Sequence, residues 1–238
     1  MGRLAQTLGI RTTTMNVLWF LKRRTAFARQ LYAVSSAPYV ERKRRIEVKE
    51  EPYVPEPSDD PEPAFFVEWQ EADDSLHVLA YSCISILAAS LQAYFKAWER
   101  ESGYKVPKPP PPPFGDRGWL IGYLEHFSSR IGIDRQSCPA DLELLEEVVL
   151  ARNRIQHVDS ITQLRPNFSP SDLKKLKSPL FVAEWERELF EGDKPYEKNW
   201  IALPTLHIPS EKLMQAIAEM EKLAEWFEEE ACRKLFAH

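Results

Sequence analysis

The sequence predicts an all-α protein, a helical bundle with an N-terminal helical arm and Pro-rich linkers. Apolar residues recur at helical spacing over several long segments. Gly is scarce, with 8 residues, whereas many of the 19 Pro lie in two stretches between those segments. A chain of 238 residues with 44% hydrophobic residues can bury one substantial core.

The N-terminal arm is predicted to form a helix from Asn16 to about Val34. Its apolar contacts are expected from Trp19, Phe20, Phe27 and Leu31. Residues 50–63 are rich in Pro and cannot be helical, because Pro lacks the amide donor and restricts the residue before it. The sequence therefore divides into an arm with a linker, residues 1–65, and a bundle, residues 66–238.

The bundle is predicted to contain four main helices: Glu71 to about Glu101, residues 117–131, Ala140 to His157, and Ser210 to about Phe236. The first is the central helix, since apolar and small residues cover most of its circumference. Residues 107–113 form a polyproline strut, either a stiff loop or a ligand for a Pro-binding domain. Residues 160–208 are expected to be irregular to moderately helical, with Trp185, Leu189 and Phe190 as anchors and short extended pieces at residues 201–203 and 206–208.

Charge is distributed unevenly along the chain, whose formal net charge is −5. Residues 1–45 carry ten Lys and Arg against one Glu, Glu41, whereas the other 193 residues carry a net charge of −14. A basic arm of this kind either binds nucleic acid or anionic lipid, or docks on its own acidic bundle. Both interpretations stay open.

Several classes of protein are disfavoured by composition. Three separated cysteines, Cys83, Cys138 and Cys232, predict neither disulfides nor a metal site and suit the cytoplasm. No Gly-rich phosphate loop is found, and we expect no cofactor. The sequence contains no run of about 18 apolar residues, so no membrane span is predicted. The first 40 residues, poor in acid and containing Thr and Arg, leave an organelle transit peptide as an alternative.

The helix from Ala140 to His157 has two apolar faces. Leu144, Val148, Ala151 and Ile155 form one ordinary core stripe, and a second cluster lies roughly 90–150° away at Leu142, Leu145 and Val149. A second apolar face indicates contact with another helix or another subunit. We therefore expect a homodimer.

The same helix ends in the run Arg152-Asn153-Arg154-Ile155-Gln156-His157. An Arg followed by His after four to six residues is expected about once by chance in such a chain, and Arg233 with His238 also matches. An Asn directly after the Arg lowers that expectation to about one in fifty, and only Arg152 qualifies. In this motif and in the order of its helices, the chain resembles HEPN domains over roughly residues 71–238.

The resemblance implies a metal-independent endoribonuclease in a prokaryotic toxin, antiphage or stress setting, acting at a cleft between two subunits. Such cleavage needs proton transfer at the 2′-hydroxyl and the 5′-oxygen and a cation that stabilises the phosphorane. His157 is the predicted proton-transfer group, Arg152 the phosphate ligand, and Asn153, one turn before His157, the orienting residue. RNA is the expected substrate, and a neutralising protein is a possible partner.

Structural roles compete with catalysis for these residues. Arg152 is alternatively an ion-pair partner of Glu146, two turns before Asn153, or of another carboxylate. His157 is alternatively a cap at the helix C-terminus, where the dipole favours a cation. The chain would then be a non-catalytic HEPN module for dimerisation or nucleic-acid binding, or an adaptor held to a partner by its Pro-rich segments.

Overall fold

The computed structural model describes residues 16–57, 59, 61–107, 118–157, 163–176, 178–186 and 203–236. Over these residues the protein is all-α. Its helices are α1 (Val17–Glu47), α2 (Phe66–Ser102), α3 (Trp119–Ile131), α4 (Leu142–Gln156), α5 (Pro170–Leu173) and α6 (Ser210–Phe236), with a 3-10 turn at Arg135–Ser137.

The order of the long helices is the predicted one, and the bounds of α3, α4 and α6 agree to within two residues. Helix α2 begins five residues earlier than predicted, at Phe66. The predicted polyproline strut, apart from Pro107, lies outside the described residues, as do Ile201 and Ala202. Residues 206–208 belong to no helix or strand. Trp185 is 65% exposed, so the expectation that it anchors this region is wrong, and Leu189 and Phe190 lie outside the described residues.

Helix α2 lies at the centre of the bundle and contacts α1, α4 and α6. Its buried residues include Ile84, Leu87, Leu91 and Phe95, all fully enclosed. By length and hydropathy α2 could cross a membrane, but 56% of its most apolar window is buried inside the bundle. Core helices of soluble proteins pass the same test, so the length of α2 is weak evidence for a span.

Aromatic rings join α2, α3 and α6 in the core. Phe95, Phe127 and Phe227 are fully buried, with ring centroids 5.1–6.3 Å apart. The hydroxyl of Tyr94 donates to the backbone oxygen of Ala224 at 3.0 Å, which satisfies a polar group that water cannot reach. This cluster holds α6 against the central helix.

Helix α1 packs on α2 and α6 with a face that the sequence did not predict. Trp19, Phe20 and Phe27 are about half exposed, so the contacts expected from them are wrong, whereas Leu31 packs against the core as predicted. The buried positions are Val17, Leu21, Thr25, Ala28, Tyr32 and Ser36. Thr25 and Ala28 are completely buried, and the Cys83 thiol lies 3.6 Å from the Ala28 oxygen. A small side chain such as that of Ala28 lets the backbones of α1 and α2 approach closely, which a large aromatic ring would prevent.

The second half of α1 continues past Pro38 and follows the start of α2. The expected end near Val34 is therefore wrong, although Pro38 removes one backbone hydrogen bond from the helix. Ion pairs join Arg42 to Glu71 and Lys43 to Asp73. The basic arm thus docks on its own bundle, as one of the two interpretations expected.

The packing of α1 predicts that substitutions on its buried face cost more stability than substitutions of its exposed aromatic residues. Leu21→Ala should lower the free energy of unfolding by about 2–4 kcal/mol, because it leaves a cavity at a fully packed site. Phe27→Ala, the matched control on the exposed face, should change it by less than about 1 kcal/mol. Denaturant unfolding followed by circular dichroism measures both, and a larger loss for Phe27→Ala would contradict the packing described.

Candidate functional site

Helix α4 positions the predicted motif at its C-terminal end. Asp141 caps the start of α4, because its carboxylate accepts the backbone N–H groups of Glu143 and Leu144 at 3.1 and 3.0 Å. The helix ends at Gln156, and the backbone N–H of His157 donates to the Asn153 oxygen at 3.1 Å. The motif therefore occupies the last turn, where the helix leaves the core.

Both apolar faces of α4 are absorbed by the chain's own core. Leu144, Val148 and Ala151 are fully buried, as expected for the first face. Leu145 and Val149 of the second face are 0% and 2% exposed, and Leu142 is partly buried against the same core. The second face therefore meets helices of the same chain, and the argument for a homodimer from Leu142, Leu145 and Val149 fails.

The three predicted site residues lie at the surface to different degrees. Arg152 and Asn153 are half-buried, and His157 is exposed. An Nη1 donor of Arg152 bonds the Asn153 side-chain oxygen at 3.1 Å. Among the described residues Arg152 has no carboxylate partner, so its charge is available to an anion. The structure brings Arg152 and Asn153 into contact and leaves the His157 ring on the solvent side.

A pocket of about 290 Å³ opens beside His157. Its walls come from the end of α4, the segment before α5 and the segment before α6, and its lining includes Arg154, His157, Gln163, Asn167, Ser169 and Leu203. Arg152 and Asn153 are not among the lining residues. His157 therefore shares this pocket with Arg154 rather than with the predicted Arg152.

Arg154 was not predicted as a site residue, and the structure gives it an ion pair. Its Nε lies 2.8 Å from the Asp172 carboxylate, which also accepts the Ser169 N–H at 3.0 Å. Ser169 in turn caps α5 in a reciprocal capping box with Asp172. The run Ser169-Pro170-Ser171-Asp172 carries this signal in sequence. Arg154 thus ties the wall of the pocket to α4.

Two segments distant in sequence form the other walls, and no local pattern predicts them. Asn167 and Thr205 form an isolated antiparallel bridge. The Asn167 amide group donates to the Leu203 oxygen at 3.1 Å and accepts from Gln163 at 3.2 Å. These hydrogen bonds give the Gln163 and Asn167 side chains partners within the pocket wall.

Helix α4 also carries two adjacent buried carboxylates. Glu147 accepts the backbone N–H groups of Leu180 and Phe181 at 2.7–2.9 Å, which fixes the chain after α5 to α4. Glu146 is 7% exposed, and neither of its oxygens has a hydrogen-bond partner in the part of the chain that the structure describes. Burial raises the pKa of Glu146 to about 7. Its carboxylate packs against Gly118, where any Cβ would collide with Oε1.

A second polar cluster, which sequence reasoning missed, lies where α2 meets the two pocket segments. Asp73 bonds Lys43 and Arg165, and His77 Nε2 lies 3.4 Å from its carboxylate. The rings of His77 and His207 are 5.0 Å apart. The His77 hydrogen bond, with those from Lys43 and Arg165, holds the pKa of Asp73 well below its usual range.

This cluster, the Asp73 cluster, anchors both pocket segments to the bundle. Arg165 belongs to the first segment, and His207 to the second. Burial, reinforced by the nearby His77, lowers the pKa of His207. The hydroxyl of Tyr81 donates to the Leu206 oxygen at 2.7 Å, beside the same segment. The sequence analysis placed none of these residues in a site, because they come from segments that are remote in sequence.

Comparisons with family models, with characterised proteins and with solved structures find no match to this chain. Among the described residues, no group of three or more His, Cys, Asp or Glu is placed to hold a metal ion. The HEPN resemblance therefore rests on the motif and on the order of the helices.

The burial of Glu146 predicts a pH-dependent stability. The folded protein retains a proton that the unfolded chain releases above its ordinary pKa of 4.5, so the free energy of unfolding falls as pH rises from 4.5 to about 7. Glu146→Gln should stabilise the protein by about 3 kcal/mol at pH above 7 and have little effect near pH 4.5. Chemical unfolding across that range measures this, with exposed Glu229→Gln as the control. A pH-independent difference would contradict it.

The Asp73 cluster predicts a local effect on the pocket wall. Asp73→Asn should lower the free energy of unfolding by about 1–3 kcal/mol, because it leaves Lys43 and Arg165 without their shared carboxylate. It should also speed hydrogen exchange at the Leu206 and His207 amides, which bond Pro166 and Phe181. Asp74→Asn is the matched control, since Asp74 contacts only Arg165 of these groups. Equal exchange in both variants would refute the anchoring role.

Proposed function

We propose that this chain is a metal-independent endoribonuclease of HEPN type, with Arg152, Asn153 and His157 as its active-site residues. The observation that supports the proposal is the accessibility of the motif. Arg152 has no carboxylate partner among the described residues, and His157 is exposed at the mouth of a pocket. A cation and an imidazole that serve only the fold are usually paired or enclosed.

The residues suit transphosphorylation of RNA. His157 takes the proton of a 2′-hydroxyl, the 2′-oxygen forms a bond to phosphorus, and the bond to the 5′-oxygen breaks. The departing 5′-oxygen takes a proton, which leaves a 2′,3′-cyclic phosphate and a free 5′-hydroxyl. Arg152 stabilises the charge on the non-bridging oxygens through its planar guanidinium. Asn153, bonded to Arg152, holds that guanidinium in place.

One chain presents one histidine to this reaction, whereas the two proton transfers call for two carriers. We propose that His157 of a second copy supplies the other, in a homodimer paired through the exposed ends of α4. Leu145 and Val149 are buried and do not take part, so Gln156 and His157 are the exposed α4 residues available to such an interface. A cytoplasmic toxin, antiphage or stress effector, restrained by a partner protein, is the proposed setting.

One contact favours a non-catalytic HEPN module as the second candidate. The hydrogen bond from Arg152 to Asn153 gives each side chain a partner within one helix turn and without a substrate. Arg154 is likewise paired with Asp172. In that case the end of α4 would bind a partner or nucleic acid and carry out no chemistry.

The test compares His157→Ala with Gln136→Ala, an exposed residue in the 3-10 turn before α4 that belongs to neither the motif nor the proposed interface. The purified wild-type protein should cleave single-stranded RNA in the presence of EDTA, because no step of the mechanism uses a metal ion. His157→Ala should lower the rate by about 100-fold or more, and Gln136→Ala by little. Expression of the same three proteins in cells, scored for growth arrest and RNA integrity, gives a second measurement.

Three outcomes would count against the proposal. Cleavage that EDTA abolishes and a divalent ion restores would replace the mechanism. A stable His157→Ala protein that cleaves at the wild-type rate would remove His157 from it. Absence of cleavage by a folded wild-type protein, with RNA binding retained, would favour the non-catalytic module. A monomer by light scattering at the concentrations that support cleavage would refute the paired site.

A further inference from the structure

The two edges of α1 differ in how their cations are used. The edge that faces α6 carries Lys22 and Arg29, which pair with Glu225 and Glu221. The edge that faces α2 carries Phe20 and Arg24, and Arg24 Nε donates to the Ser90 hydroxyl on α2 at 2.8 Å. The cations of the first edge are therefore paired with carboxylates of α6, whereas Arg24 on the second edge bonds a neutral hydroxyl and keeps its charge.

A groove of about 290 Å³ runs between α1 and α2 along that second edge. Its lining includes Phe20, Arg23, Arg24 and, from the end of α2, Arg100. All three arginines are exposed, and none has a carboxylate partner among the described residues. In a chain of net charge −5, three guanidinium groups kept in one groove indicate an anionic ligand.

Exposed aromatic rings adjoin these arginines. Trp19 and Phe20 are each 50% exposed and Phe27 is 56% exposed. The Arg23 guanidinium lies 5.4 Å from the centre of the Trp19 ring. Phe20 and Phe27 are two helical turns apart on one side of α1, about 10 Å along its axis. Rings interleaved with guanidinium groups offer stacking surfaces beside phosphate ligands.

We propose that this groove, formed by Phe20, Arg23, Arg24 and Arg100, binds single-stranded RNA. The arginines contact backbone phosphates, and Phe20 and Phe27 stack on bases that are not paired. The proposal rests on the proposed function, in which RNA is the substrate, and it makes the groove a binding site distinct from His157.

The charges around α1 favour a strand over an anionic membrane. Glu225, which is about half exposed, and Glu221 are residues of α6 that lie beside the opposite edge of α1. A broad anionic surface pressed against α1 would meet these carboxylates as well as the arginines. A strand lying in the groove meets the arginines, the Phe20 ring and uncharged lining residues, and no carboxylate is among the residues that line it.

The test uses the His157→Ala protein, which keeps RNA intact, and a short fluorescent oligouridylate whose binding is followed by anisotropy. Replacing Arg23, Arg24 and Arg100 by Ala together should weaken binding at least about tenfold and reduce the dependence of log Kd on log salt by about 2. Phe20→Ala should weaken it about tenfold through lost stacking. The matched control, Lys22→Ala with Arg29→Ala, removes two positive charges from the other edge, against three in the arginine variant, and should change affinity by less than about twofold.

Equal losses in the arginine variant and in the control would overturn the proposal, since binding would then follow overall charge. Unchanged RNA binding in the arginine variant, with lost sedimentation on phosphatidylserine vesicles, would assign the groove to a membrane and also overturn it. A 4-thiouridine oligonucleotide crosslinked to wild-type protein should label the α1 peptide that contains Phe20, a result independent of whether the variants fold. If the wild-type protein binds RNA through the groove but does not cleave it, the proposed function is wrong and this inference still holds.

Discussion

Enclosure of α2 is the constraint on which the rest of the structure depends. Its apolar residues lie on most of its circumference, so it is stable in water only when several helices cover it. Helices α4 and α6 cover part of that surface, and α1 covers another part. The N-terminal arm is therefore part of the same core as the bundle, because its Leu21, Ala28 and Tyr32 pack in the cluster that α2 organises.

Much of the fold followed from periodicity, and the errors have a common physical origin. Hydrophobic spacing predicted the order of the long helices and most of their ends. It failed on α1, where the large aromatic side chains are half exposed and the small side chains of Thr25 and Ala28 are completely buried, because small side chains allow close packing. Helix α1 also continues past Pro38, since one missing backbone bond is offset by the contacts that the rest of α1 makes with α2.

The candidate site was predictable only where it is local. Arg152, Asn153 and His157 lie within two turns of one helix end, so the sequence predicted that they are neighbours, but not that His157 lines a pocket from which Arg152 and Asn153 are absent. The pocket beside His157 needs a bridge between Asn167 and Thr205 and the Asp73 cluster, and both join segments remote in sequence. The second apolar face of α4 shows the same limit, since periodicity reveals that Leu145 and Val149 are covered but not by which chain.

The division of the basic residues connects the fold to the proposed function. Several cations form ion pairs with carboxylates of the bundle, and each pair also fixes one segment of the chain to another. These cations are Lys22, Arg29, Lys43 and Arg165. Arg152 and the arginines of the α1–α2 groove make no such pair among the described residues, although the protein as a whole is acidic. An unpaired cation costs the fold little when it stays solvated, and it attracts phosphate most strongly where acidic neighbours are absent. Under the proposed function, these two separate sets of unpaired guanidinium groups hold an extended polyanion at more than one point. A strand of RNA held at the groove would then be presented repeatedly to a site that itself offers few contacts.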